Sequence, residues 1–146
     1  MKNTDAPIVV EETYMTTPKN VWKAITELDQ MKKWFFEQIE SFEAKEGFKT
    51  QFVVEVENRT FTHLWKITEV VPNQKIKYSW RYKEYSGDSF VTFELFKNEN
   101  HVKLRLMTEI IDSFPPDIPE FARESCIGGW EYFIKSSLKE YLMSKK

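Results

Sequence analysis

The 146-residue sequence has a single cysteine, Cys126, so an internal disulfide is excluded and no Cys-based metal cluster can be assembled. Glycine is scarce: there are four, and two of them, Gly128 and Gly129, are adjacent. Only two histidines occur, His63 and His101, too far apart in sequence to form a motif. Neither sign of charge dominates, with 21 Lys and Arg against 23 Asp and Glu, and a net charge of -2 argues against a nucleic-acid partner. No apolar run approaches the roughly 20 residues of a membrane-spanning helix. The opening MKNTDAPIVV lacks the apolar stretch of a secretory signal, so a reduced cytoplasmic location is expected. No phosphate loop, dinucleotide fingerprint, nucleophile elbow or zinc motif is found. Hydrolytic, redox and nucleotide chemistry are therefore not expected, nor is a cofactor or metal.

What the chain does have is aromatic bulk: 12 Phe, 6 Tyr and 5 Trp, or 16% of all residues. Flat side chains of this size suit either a thick core or a walled pocket. With 41% hydrophobic and 30% charged residues, and no repeat or linker, residues 1–146 read as one globular domain.

Periodicity divides the chain. Residues 8–16 alternate as a strand, with Ile8, Val10, Glu12 and Tyr14 on one face. Thr17 and Pro18 then form a helix-start signal, followed by Val21, Ile25 and Leu28 at helical spacing. A second short helix is expected from Asp29 as its cap, with Met31, Trp34 and Phe35 as its apolar side. Five strands follow, separated by turns at Pro72–Gln74, Ser86–Asp88 and Asn98–Asn100. Their apolar faces carry Phe48, Phe52, Val54 and Val56; Phe61, His63, Trp65 and Ile67; Ile76, Tyr78, Trp80 and Tyr82; Val91, Phe93 and Leu95; and Val102, Leu104 and Leu106. After a proline-broken segment, a long helix is expected over about 119–143, with Cys126, Trp130, Phe133, Ile134, Ser137, Leu138 and Tyr141 on one face. The resulting class is α+β: a six-stranded antiparallel sheet, apolar on one face and curled over one long helix. Such a sheet leaves a gap beside the helix.

Several of these pieces resemble a known family. TPKNVWKAIT (17–26), KKWF (32–35), ITEVVPNQKIKYSW (67–80), VTFEL (91–95) and GGWEYFIKSSLKEYL (128–142) are similar, in order and separation, to segments of the START-like (SRPBCC) superfamily. The branch is the one named after the activator of the ninety-kilodalton heat-shock chaperone's ATPase. The resemblance implies the helix-grip fold and a cavity between sheet and C-terminal helix. Relatives bind lipids, hormones or polyketides there; some catalyse cyclisation or hydrolysis, and others are chaperone cofactors. This sequence departs from the pattern between Trp34 and Gly47, where FFEQIESFEAKE replaces a Pro- and Gly-containing loop. A differently shaped pocket mouth is expected there.

The candidate ligand-binding residues are Phe52, His63, Trp65, Tyr78, Trp80, Phe93, Trp130 and Ile134. As walls they would take a small lipophilic or aromatic molecule; as plain core they would take nothing. His63, on an apolar strand face, reads either as a binding or basic group or as a satisfied core residue. Glu12 reads as a ligand-orienting carboxylate or a strand-edge charge, and Cys126 as a nucleophile or a small core residue. Gly128 and Gly129 either free space beside Trp130 or permit close packing against the aromatic sheet. The expected function is ligand binding without catalysis. The alternatives are a chaperone-cofactor module acting through the outer surface and a cyclase or hydrolase using the same cavity.

Overall fold

The computed structural model describes residues 1–144. Its first strand, β1, is Ile8–Tyr14, two residues shorter than the alternation suggests. Thr17 caps helix α1 (Pro18–Thr26), its hydroxyl accepting the Asn20 N–H at 3.2 Å, with Pro18 at the first helical position. Helix α2 (Leu28–Trp34) begins after Glu27, not Asp29. Glu27 adopts an extended conformation that ends α1 and starts α2, which moves Asp29 into the first turn. There its charge complements the helix dipole.

Strands β2 (Lys49–Val56), β3 (Arg59–Val71), β4 (Lys75–Tyr82), β5 (Asp88–Lys97) and β6 (Val102–Asp112) form one antiparallel sheet with β1, in the order β1-β6-β5-β4-β3-β2. The turn at 72–74 works because Asn73 takes a positive φ of 64°, which asparagine tolerates. The two edge strands, β1 and β2, are consecutive in the chain. Their connection, α1, α2 and residues 35–48, must therefore cross the open side of the sheet.

The C-terminal helix starts later than its sequence pattern implies. Pro119–Phe121 is a single 3-10 turn, and Ala122 is extended. The helix proper runs as α3 (Arg123–Glu131), a π turn (Tyr132–Ser137) and α4 (Leu138–Ser144). Two side chains act on the wider turn. The Tyr14 hydroxyl donates to the Ile134 carbonyl at 2.5 Å, and the Ser137 hydroxyl donates to the Trp34 carbonyl at 2.6 Å. An inserted side-chain bond of the first kind is a recognised cause of local departure from α-helical pairing. Trp130, Ile134 and Leu138 are the buried positions of the helix. No helix among the described residues is long and apolar enough to cross a membrane.

The inner sheet face and the helices enclose a core in which aromatic rings dominate. Trp34 donates its indole N–H to the Ala24 carbonyl at 2.7 Å and stacks on Phe35 at 4.7 Å. Phe35 in turn meets Trp65, Phe93, Trp130 and Phe133. A second, smaller cluster joins Phe61, Ile110, Phe114 and Phe121.

The glycines differ in their surroundings. Gly87 has a φ of +119°, and an added Cβ would stand 2.4 Å from the Phe114 ring. At Gly128 and Gly129 an added Cβ would meet nothing within 4 Å, so neither glycine serves close packing. Two substitutions should move stability in opposite directions. Gly87→Ala combines backbone strain with overlap and should cost about 1–3 kcal/mol. Gly128→Ala should add about 0.5–1 kcal/mol through helix propensity. Urea denaturation of both variants checks the pair; a loss at Gly128→Ala would show that the site is packed after all.

Candidate functional site

Antiparallel pairing brings the start of β3, the end of β4, the start of β5 and the end of β6 to the same end of the sheet. At that end the inner face is not filled. A cavity of about 360 Å³ lies between it and α3, within the size range of small-molecule pockets. Phe61 and His63 from β3, Trp80 and Tyr82 from β4, Ser89 and Val91 from β5, and Thr108 from β6 form the sheet wall. Phe114 and Phe121 close the floor, and Cys126, Gly129, Trp130 and Phe133 form the helix wall. Phe36, just after α2, covers one side, within 5.1–5.2 Å of Phe52, His63 and Phe133. Ser125 and Gly129 are exposed lining residues, and Val56 at the end of β2 is 37% exposed, so these three mark the mouth.

Of the eight residues singled out from the sequence, His63, Trp80 and Trp130 border this cavity. Phe52, Trp65, Tyr78, Phe93 and Ile134 do not: each is at most 1% exposed and belongs to the filled half of the core. Strand alternation finds the inner face but not the end of it that stays open. Phe36, Phe61, Tyr82, Phe114 and Phe121 were missed as wall residues, although Phe61 and Tyr82 share the alternation phase of His63 and Trp80. The strand register, read as antiparallel ends meeting, was the available signal. Phe114 and Phe121 lie in the proline-broken segment and follow no period.

The polar groups of the wall are mostly committed. Trp80 donates its indole N–H to the Tyr82 hydroxyl at 2.8 Å, and the Ser89 hydroxyl donates to the Trp80 carbonyl at 2.7 Å. Glu120 receives a bidentate pair from Arg59 at 2.8 and 2.7 Å. That bond holds its carboxyl below the usual range and ties the β2–β3 turn to the 3-10 turn. Burial pushes the Cys126 thiol up to about 11, so it is protonated and unreactive at neutral pH. Glu12 lies outside the cavity, 3.5 Å from Lys139, and reads as a strand-edge charge.

His63 is 5% exposed and stacks on Phe52 at 4.6 Å. Its Nδ1 is 3.1 Å from the Phe61 carbonyl, which can only accept, so Nδ1 carries the proton. Burial lowers its pKa to about 4, against weaker opposing effects of the Phe61 bond and Glu84. The ring is therefore neutral at pH 7, with Nε2 offering a lone pair. The folded-state pKa is below the unfolded one, so the unfolded chain binds the extra proton first. His63 thus removes stability as pH falls from about 6.5 to about 4, by as much as about 3 kcal/mol. Relative to the wild type, His63→Phe should gain stability over this interval, read as the difference between their urea midpoints at pH 7 and pH 4. A constant difference would mean that His63 is solvated.

Known proteins share this fold. The family model described as "Activator of Hsp90 ATPase homolog 1-like protein" matches residues 15–143. A search of curated proteins finds no match. Among solved structures, a protein from Mesorhizobium loti is 21% identical with a TM-score of 0.77, covering 97% of this chain and 99% of its own. An HSP90 activator from Plasmodium falciparum is 20% identical with a TM-score of 0.75, covering 95% and 97%. The Aha1 dimer from Colwellia psychrerythraea is 20% identical with a TM-score of 0.70, covering 97% and 100%. At these identities the structural likeness establishes the helix-grip fold, and the family match over most of the chain establishes descent: this protein belongs to the activator of Hsp90 ATPase homolog 1-like family.

Proposed function

We propose that the protein binds a small lipophilic or aromatic molecule in the cavity between sheet and C-terminal helix, without transforming it. One observation carries this reading: a cavity of about 360 Å³, walled by aromatic rings, opens beside a glycine whose missing side chain nothing replaces. His63, Trp80 and Trp130 are the wall residues that would touch the ligand, with Phe36, Phe61 and Tyr82 beside them. The chemistry of the wall favours binding over turnover. The thiol is protonated, His63 hydrogen-bonds to a backbone carbonyl and not to another titratable group, and Glu120 is engaged by Arg59.

A chaperone is the second reading, and it rests on the family match and on the relative described as an HSP90 activator. That role would use the outer surface, so substitutions in the cavity would leave it intact.

The test is occlusion at the mouth. N-Phenyl-1-naphthylamine, an uncharged apolar dye, should bind and quench tryptophan fluorescence, since Trp80 and Trp130 face the cavity. Gly129→Leu should abolish that binding. Because an added Cβ meets nothing within 4 Å, the variant should fold without the usual overpacking penalty of about 1–3 kcal/mol. A folded Gly129→Leu that binds the dye as the wild type does would overturn the reading.

A further inference from the structure

His63 has one polar atom left over at the cavity. Its Nδ1–H is spent on the Phe61 carbonyl at 3.1 Å, and no protein group donates to Nε2. Among the described residues, three side-chain atoms are sealed from solvent without a partner: Trp65 Nε1, Tyr78 Oη and Thr108 Oγ1. His63 Nε2 also lacks a partner but is not one of the sealed atoms. The open space that His63 borders is the cavity, so the Nε2 lone pair reaches the cavity surface.

The surroundings make that lone pair informative. The residue is 5% exposed, and its ring lies among those of Phe36, Phe52, Trp80 and Tyr82 at centroid distances of 5.1, 4.6, 5.5 and 4.8 Å. A phenylalanine would fill the same place among these rings and give up no hydration. The Phe61 bond fixes the tautomer, and the stacked Phe52 ring holds the imidazole plane. Burial keeps the ring neutral at pH 7, so Nε2 accepts a hydrogen bond and cannot donate one.

This selects among apolar ligands. A hydrocarbon that displaces water from the cavity leaves Nε2 unsatisfied, whereas a ligand with an O–H or N–H replaces the bond that water made. A ketone or ether oxygen cannot do so, because both atoms would be acceptors. Resting on the binding role above, we propose that His63 Nε2 is the hydrogen-bond acceptor of the site and that the natural ligand is an apolar molecule carrying a hydroxyl or N–H group.

Three compounds on one ring system test this at pH 7, each displacing N-phenyl-1-naphthylamine: 2-naphthol, which can donate; 2-methoxynaphthalene, which can only accept; and 2-methylnaphthalene, which does neither. The affinity of 2-naphthol relative to 2-methylnaphthalene should fall roughly fivefold from the wild type to His63→Phe, the effect of one hydrogen bond. The affinity of 2-methoxynaphthalene relative to the hydrocarbon should stay constant. Melting curves report whether His63→Phe folds. A second measurement needs no variant: with only two histidines in the chain, the Nε2 nitrogen resonance of His63 can be followed directly. It should move upfield, toward the protonated position, when 2-naphthol saturates the wild type, and not when 2-methoxynaphthalene does. A constant 2-naphthol ratio in folded His63→Phe, an equal fall for 2-methoxynaphthalene, or an Nε2 resonance that ignores bound 2-naphthol would overturn the acceptor role while the binding role stands. If neither the dye nor any of the three compounds binds the wild type, the binding role fails and the acceptor role with it.

Discussion

The width of the sheet is the constraint on which the rest of this structure depends. Six strands spaced about 4.8 Å apart present an inner face about 24 Å across, whereas one helix with its side chains is about 10–12 Å wide. The C-terminal helix cannot cover that face alone. The chain meets the shortfall in three ways. The sheet curls, α1 and α2 cross from one edge to the other, and aromatic rings fill the space that remains at one end. At the other end the rings line the space without filling it.

The boundary between the filled and hollow halves falls at Phe35 and Phe36. Phe35 stacks on Trp34 and reaches the rings of β3, β5 and the helix. Phe36 faces His63 and Phe133 at the cavity's side. This Phe pair packs ring against ring, so aromatic packing bounds the space here. The helix adapts at the same level. Its π turn places the Ile134 carbonyl against Tyr14 and the Ser137 hydroxyl against the end of α2, which anchors the half of the helix that lies over the filled core. On the hollow side, Gly129 leaves the helix surface bare.

Most of the fold was legible in the sequence because it follows from period. Alternation of two identified six strands and their inner faces, and the spacing of Trp130, Ile134 and Leu138 identified the buried side of the last helix. Boundaries were less legible where backbone conformation decides them. Glu27 serves two helices at once, and Ala122 interrupts a run that composition alone reads as continuous. The site was only partly legible. Alternation assigns a residue to a face but not to a position along the strand that is filled or empty, so Tyr78 and Trp80 look equivalent in sequence. Tyr78 sits in the core, and Trp80 sits at the cavity. The floor residues Phe114 and Phe121 come from irregular chain, where no period exists to place them.

The hollow end of the sheet is the central claim, and xenon reports it most directly, since xenon enters apolar cavities without needing any particular ligand. A crystal structure under xenon pressure should show xenon density between Trp80, Thr108 and Gly129, and none in the core around Trp65 and Tyr78. A xenon-free structure in which Trp130 or Phe36 has moved to fill the space would contradict it.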